Sequence, residues 1–109
     1  MDERRKFERL NIPESSKAYV ATPDGKKLGA LTVLGRGGFQ VNTKQEFQTG
    51  EVKELVIVDK SEGIHRKVRG IVRMALPGAV GFEFEELTPD AAVEVGVIIG
   101  KYYSATAKA

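Results

Sequence analysis

The chain has 109 residues, of which 41% are hydrophobic and 29% are charged, a composition typical of one globular domain. It has no cysteine, which excludes a disulfide framework, a thiol nucleophile and any cysteine-ligated metal site. Its 17 basic and 15 acidic residues leave a formal net charge of +2, which is too balanced for general binding to nucleic acid, so any anion site must be local.

The N-terminal segment, residues 1–16, is rich in basic side chains and shows little apolar periodicity. Arg5 and Arg9 share a spacing of four positions, and Arg4 precedes them. Guanidinium groups are flat forks that suit bidentate hydrogen bonds with phosphate oxygens or with the O6/N7 edge of guanine. The spacing therefore indicates an arm that clamps a phosphorylated purine ligand. The alternative is a charged terminus that is simply solvated.

Two apolar side chains of this arm, Phe7 and Leu10, can anchor it to the rest of the domain. A fully disordered tail is the alternative. No apolar run follows the basic residues, so we expect no secretion signal, and the longest nearly apolar stretch, residues 95–100, is too short to span a membrane. The absence of cysteine fits a cytoplasmic protein.

Residues 17–109 are predicted to form the domain itself, which begins as strands separated by turn signals. Pro23-Asp24-Gly25 and Pro77-Gly78 are typical turn sequences. The predicted strands cover residues 17–20, 26–34, 39–42, 52–58, 64–76 and 79–87. Six short strands at this spacing predict a mostly β fold, which is a small antiparallel barrel or a sandwich.

Two of these strands carry patterns that specify which side chains are buried. In the second strand, simple alternation assigns Leu34 to one face and Leu31 to the other. In the strand at residues 52–58, the last four residues are continuously apolar. Such a run is typical of a strand that is covered on both faces.

The C-terminal part of the chain changes to a helical pattern. Thr88 can cap a helix, Pro89 suits the first helical position, and Asp90 faces the positive end of the helix dipole. Apolar side chains then recur every three or four residues, which predicts an amphipathic helix from Pro89 to about Tyr103, with residues 104–109 frayed. Alternating valines within this stretch leave a strand as the alternative.

Catalytic chemistry has little support in the sequence. The single histidine, His65, lacks a recognisable nucleophile with a second orienting group. No potential ligands stand at metal-binding spacing. We therefore expect no catalytic residue, no metal and no cofactor.

A second candidate binding feature is the stretch Gly35-Arg36-Gly37-Gly38. Its three glycines let the backbone approach a ligand closely, and exposed amides can form an anion nest. Arg36 adds a further guanidinium fork. Gly35, Arg36 and Gly38 are therefore candidate ligand contacts, and the alternative is a bulge or a tight turn between strands.

Three features together resemble the PilZ domain family, over nearly the whole chain. Arg5 and Arg9 match the R-x-x-x-R motif that precedes the barrel in that family, residues 33–38 lie where it carries a (D/N)-x-S-x-x-G motif, and residues 80–84 look like its closing strand. The resemblance implies a six-stranded antiparallel β-barrel with a C-terminal α-helix. It also implies binding of cyclic di-GMP, a bacterial second messenger, with Arg5 and Arg9 on guanine edges and phosphates and Arg4 assisting.

The second motif departs from the family pattern. Val33 stands where the family has Asp or Asn, Gly35 stands where it has Ser, and Gly38 is retained. Val33 and Gly35 cannot make the hydrogen bonds of the residues they replace. Each lost contact costs about 1 kcal/mol, so the two together weaken binding roughly 30-fold.

The leading hypothesis is a non-catalytic cyclic di-GMP receptor, in which Arg5 and Arg9 form the clamp and Arg36 and Gly38 form the floor. Ordering of the arm then alters a surface that is read by a downstream protein partner. Under this hypothesis, replacing Arg73 matters far less than replacing Arg9.

The runner-up is a degenerate PilZ-like domain that has lost the nucleotide and acts through protein contacts at the Tyr102-Tyr103 end of its helix, including a possible homodimer. A third class is a small barrel that binds RNA or single-stranded DNA. The sequence disfavours it, because its aromatic side chains are too scattered and its charge is too balanced.

Overall fold

The strands and the helix follow one another along the chain as predicted, with one short strand added before them. The computed structural model describes residues 10–13 and 15–107. Its elements are β1 (Leu10–Asn11), β2 (Tyr19–Ala21), β3 (Lys27–Leu34), β4 (Gly38–Asn42), β5 (Val52–Asp59), a short 3-10 helix (Lys60–Glu62), β6 (Ile64–Leu76), β7 (Ala79–Phe84) and α1 (Pro89–Ala107).

The sheet closes into a barrel of six antiparallel strands. From β3 the order runs through β2, β5, β6 and β7 to β4, and β4 pairs back with β3. Closure leaves none of these six strands as a long open edge. The predicted barrel is confirmed, and the sandwich alternative is wrong. The added strand β1 lies against the C-terminal end of β3, where Leu10 pairs with Leu34 and Asn11 with Val33.

A β-bulge in β3 changes which of its side chains face the core. The register with β4 shifts between Leu31 and Val33, which places an additional residue on one strand. As a result Leu31 and Leu34 are both buried, with exposed fractions of 2% and 0%. The assignment of these two leucines to opposite faces is therefore wrong, because simple alternation does not continue through a bulge.

The strand that was expected to be covered on both faces is β5. Leu55, Val56, Ile57 and Val58 are all buried, which confirms that expectation. The barrel interior also holds a group of aromatic rings. Phe82 stacks on Phe39 with the ring centroids 5.0 Å apart, and such a pair adds about 1 kcal/mol beyond the burial of its area. The main buried residues that share this core are Val20, Leu31, Leu34, Phe39, Val41, Leu55, Ile57, Val68, Val72, Val80 and Phe82.

The helix α1 begins where the sequence predicts and continues further than it predicts. The backbone N–H of Ala91 donates to Thr88 Oγ1 over 3.2 Å, so Thr88 caps the first turn. The strand alternative is wrong, and so is the predicted fraying directly after Tyr103, since the helix runs to Ala107. No glycine or proline follows Tyr103, so no local signal stops the helix there.

The C-terminal half of α1 is held to the barrel by a buried carboxylate. Asp59 is only 2% exposed, and its carboxylate accepts hydrogen bonds from the Ser61 hydroxyl at 2.7 Å and the Tyr102 hydroxyl at 3.3 Å. The Lys101 ammonium lies 3.4 Å from the same carboxylate. Burial raises the pKa of Asp59, but these hydrogen bonds and the Lys101 charge outweigh burial and hold the pKa below its ordinary value.

The apolar side chains of α1 complete the core. Val95, Ile98 and Tyr102 are buried and belong to the same cluster as the barrel residues. Within the parts of the chain that the structure describes, no helix has both the length and the hydropathy that a membrane span requires.

Candidate functional site

The predicted clamp lies just before Leu10, the first residue that the structure describes. Arg4, Arg5 and Arg9 lie outside the described residues, as does Phe7. Leu10, the first described residue, is partly buried, packs against the core and pairs with Leu34. Leu34 is the last residue of β3, and Gly35 follows it directly. The N-terminal segment therefore enters the barrel beside the glycine-rich stretch and not on its far side.

This attachment is strengthened on the C-terminal side of β1. Ile12 is buried, and its backbone N–H donates to the Thr32 carbonyl over 2.8 Å. The polar backbone of this short segment is thus paired with β3, and its apolar side chains are covered by the core. Leu10 consequently acts as the predicted anchor.

The stretch Gly35–Gly38, named here the glycine turn, connects β3 to β4. The Gly35 N–H donates to the Gly38 carbonyl over 2.9 Å, and the Phe84 N–H donates to the Gly37 carbonyl over 2.9 Å. The backbone of the turn is therefore tied both to itself and to the end of β7. Arg36 and Gly37 form its exposed tip.

The glycine turn lacks one form of the predicted anion nest. In that form, successive N–H groups alternate between right-handed and left-handed conformations. In the described chain, positive φ angles occur at Gly25, Gly50, Gly63 and Gly78, and none occurs in the glycine turn. The Gly35 N–H is also already committed to Gly38. We therefore interpret the turn as a surface against which a ligand can lie, with Arg36 as its charged group.

Gly38 has a packing role that is independent of any ligand. A Cβ atom at this position would lie 2.1 Å from the Phe82 carbonyl oxygen and 3.0 Å from the Glu83 Cα. Both atoms belong to the backbone of β7 and have little freedom to move. Glycine is therefore required for β4 to approach β7 and close the barrel. A Cβ at the neighbouring Gly37 meets nothing within 4 Å.

A pocket of about 310 Å³ opens on the barrel surface beside the glycine turn. It brings Gly37 and Gly38 together with an ion pair between Arg73 Nε and Glu83 Oε1, whose atoms are 2.6 Å apart. Its other lining residues are Met74, Gly81 and Phe82. Sequence reasoning missed Arg73 and treated it as remote from the site. The sequence carried no local signal for it, because Val72, Arg73 and Met74 keep the alternation of apolar and polar side chains.

Arg36 faces a second pocket on the other side of the glycine turn. This pocket, of about 410 Å³, lies between Arg36 and the first half of α1 and includes Leu87, Val93 and Gly96. Among the described residues, none forms an ion pair with Arg36, whose side chain is exposed. The guanidinium of Arg36 is thus free of protein acceptors in that part of the structure.

A larger pocket lies elsewhere and contains none of the predicted site residues. It has a volume of about 550 Å³ and is lined by Lys27, Asn42 and Gly78 among others, at the opposite end of the barrel. No group of three or more His, Asp or Glu side chains suited to a metal ion occurs in the described part of the chain. His65 is exposed on β6.

Comparison with known proteins identifies the family. The sequence matches the PilZ domain over residues 3–99, so the chain belongs to the PilZ domain family. No curated protein matches it. Among solved structures, the PilZ domain with c-di-GMP of YcgR from Escherichia coli has a TM-score of 0.73 and 14% sequence identity, over 97% of this chain and 96% of that chain.

Two further solved structures share the fold. YcgR in complex with c-di-GMP from Escherichia coli has a TM-score of 0.70 and 17% identity, over 96% of this chain and 48% of that chain. The Legionella uncharacterized protein Lpg0364 has a TM-score of 0.66 and 11% identity, over 92% of this chain and 98% of that chain. These similarities establish the architecture of this chain.

Proposed function

We propose that this chain is a non-catalytic receptor module for cyclic di-GMP in bacterial second-messenger signalling, acting in the cytoplasm. Membership of the PilZ family supports the proposal, as does the presence of c-di-GMP in the similar YcgR structures. The observation that carries it is the pairing of Leu10 with Leu34. Since Leu34 directly precedes Gly35, this pairing attaches the arm to the barrel beside the glycine turn.

In the proposed complex, Arg5 and Arg9 grip the ligand from the arm. A fully extended chain spans at most about 3.6 Å per residue, so the arm from Arg5 to Leu10 spans at most about 18 Å. That length is sufficient to fold over a dinucleotide lying on the glycine turn. The guanidinium groups bind phosphate oxygens or the O6/N7 edge of guanine, with Arg4 assisting. Arg36 supplies a further positive charge at the turn.

The glycine turn supplies fewer polar contacts than the family motif. Val33 is paired with Asn11 and Gln40 through the sheet, and its side chain has no hydrogen-bonding atom. Gly35 has no hydroxyl, and its amide is occupied. Charge-assisted hydrogen bonds contribute about 1.5–3 kcal/mol each, against about 1 kcal/mol for each lost neutral bond. Binding therefore depends mainly on the arginines.

The second candidate function is a PilZ domain that acts through protein contacts without nucleotide. The departures at Val33 and Gly35 favour it, and so do two valines on the outer side of α1. Val93 and Val97 are 66% and 44% exposed, which suits contact with a downstream protein partner or a second copy of the chain.

Calorimetric titration of the full chain with cyclic di-GMP distinguishes the two candidates. We expect saturable heat at ligand concentrations up to tens of micromolar. Cyclic di-AMP is the matched control, because adenine presents an N6 donor where guanine presents the O6 acceptor. Absence of heat with folded protein, or equal binding of both nucleotides, contradicts the receptor proposal.

A further inference from the structure

Arg73 lies at an irregular point of β6. The register between β6 and β7 shifts between Val72 and Met74, so Arg73 is the additional residue of a β-bulge. A bulge turns a side chain away from the direction that regular alternation would give it, and bulges are frequent beside functional sites. Here Arg73 lines the pocket that also contains Gly37 and Gly38.

The guanidinium of Arg73 has one partner among the described residues and can donate further hydrogen bonds. Its Nε donates to Glu83 Oε1 over 2.6 Å, and no described residue accepts a hydrogen bond from its two terminal nitrogens. Both side chains are about half exposed, at 56% for Arg73 and 53% for Glu83. Ion pairs of this exposure are screened by water and salt and are easily exchanged for another anion.

We propose that Arg73 is a further ligand-binding residue of this site and that Glu83 competes with the ligand for it. This inference rests on the proposed function. The Arg73 fork takes a phosphate oxygen or a guanine edge of cyclic di-GMP, and so supplies a charged contact where Val33 and Gly35 supply none. Glu83 opposes binding twice, because it occupies Nε and because its carboxylate repels a phosphate.

A second ion pair on the same strand provides the matched control. Arg69 Nε lies 3.3 Å from Glu85 Oε1, and these side chains are 54% and 39% exposed. Neither residue lines the pocket that contains the glycine turn. Arg69→Ala therefore removes one positive charge from β6, as Arg73→Ala does. The two arginines are similarly exposed, but Arg69 lies outside the pocket.

Calorimetric titration of four variants with cyclic di-GMP tests the inference. Arg73→Ala is expected to weaken binding about tenfold, and Glu83→Gln to strengthen it about two- to fivefold. The controls Arg69→Ala and Glu85→Gln should stay within about twofold of the wild type, as expected for screened surface charges. All four sites are exposed, and urea unfolding verifies that each variant remains folded.

The outcomes separate this inference from the proposed function. If the wild type binds and Arg73→Ala has the same affinity for cyclic di-GMP as Arg69→Ala, the role of Arg73 is overturned and the receptor proposal stands. If Glu83→Gln binds no more tightly than Glu85→Gln, the competitor role of Glu83 is overturned. If the folded wild type does not bind at all, the proposed function itself fails.

Discussion

Replacing Arg9 by alanine is expected to weaken binding of cyclic di-GMP by about ten- to hundredfold. A charge-assisted hydrogen bond contributes about 1.5–3 kcal/mol, and each 1.4 kcal/mol is a factor of ten in affinity. Arg9 precedes Leu10, whose pairing with Leu34 attaches the chain beside the glycine turn. Among the arm arginines it therefore has the shortest path to a ligand on that turn. Calorimetric titration of the variant provides the measurement.

Lys26→Ala is the appropriate control for Arg9→Ala. It also removes one positive charge, but Lys26 lies in the turn before β3, which runs from Lys27 to Leu34. At about 3.3 Å per residue, this strand separates Lys26 from the glycine turn by about 23 Å. Arg73 is unsuitable as a control because it lines the pocket beside that turn. Equal loss of affinity in Arg9→Ala and Lys26→Ala would count against the clamp.

Replacing Gly38 by alanine is expected to destabilise the fold by about 2 kcal/mol or more. The new Cβ would lie 2.1 Å from the Phe82 carbonyl oxygen, so β4 and β7 must move apart where they close the barrel. Forcing additional atoms into a packed site typically costs about 1–3 kcal/mol, and rigid backbone neighbours place this site at the upper end. Urea unfolding followed by circular dichroism measures the change.

The adjacent glycine gives a control one residue away. A Cβ at Gly37 meets nothing within 4 Å, and its φ is not positive. Gly37→Ala should therefore change the free energy of unfolding by less than about 0.5 kcal/mol. If both variants unfold at the same urea concentration, the close approach of β4 and β7 does not account for the glycine at position 38.

The role of Gly38 affects how the family motif is interpreted in this chain. Gly38 is the one retained residue of the second motif, and the geometry explains it by strand packing alone. Its presence is therefore expected in a barrel that binds nucleotide and equally in one that does not. Gly38 therefore does not separate the two candidate functions, and the decisive experiments are aimed at the arginines.

Features that depend on local chemistry could be predicted from the sequence. The turns at Gly25 and Gly78 have φ angles of 96° and 86°, which glycine adopts without strain. The start of α1 at Pro89 follows from a cap and a proline at adjacent positions. The strands could be predicted because turn signals bound them and because their apolar side chains either alternate or, in β5, run continuously. These local patterns predicted six strands and a helix, and the resemblance to the PilZ family indicated a closed barrel rather than a sandwich.

Features that depend on contacts between distant segments could not be predicted. The bulge at Arg73 arises from the way β6 fits against β7, and the bulge near Leu31 arises from the fit of β3 against β4. Pairing of Leu10 with Leu34 joins residues that are far apart in the sequence. The candidate site is assembled from such contacts, so the sequence indicated its arginines and glycines but missed Arg73.

Nitrogen–proton correlation spectra recorded during titration with cyclic di-GMP test the central claim most directly. The claim is that the N-terminal arm and the glycine turn meet on one ligand. We expect the amide signals of Leu10, Arg36 and Gly37 to shift together and to saturate, while those of Gly25 and Gly78, at the opposite end of the barrel, stay in place. Shifts confined to that opposite end, or no shifts in the folded protein, would contradict the account.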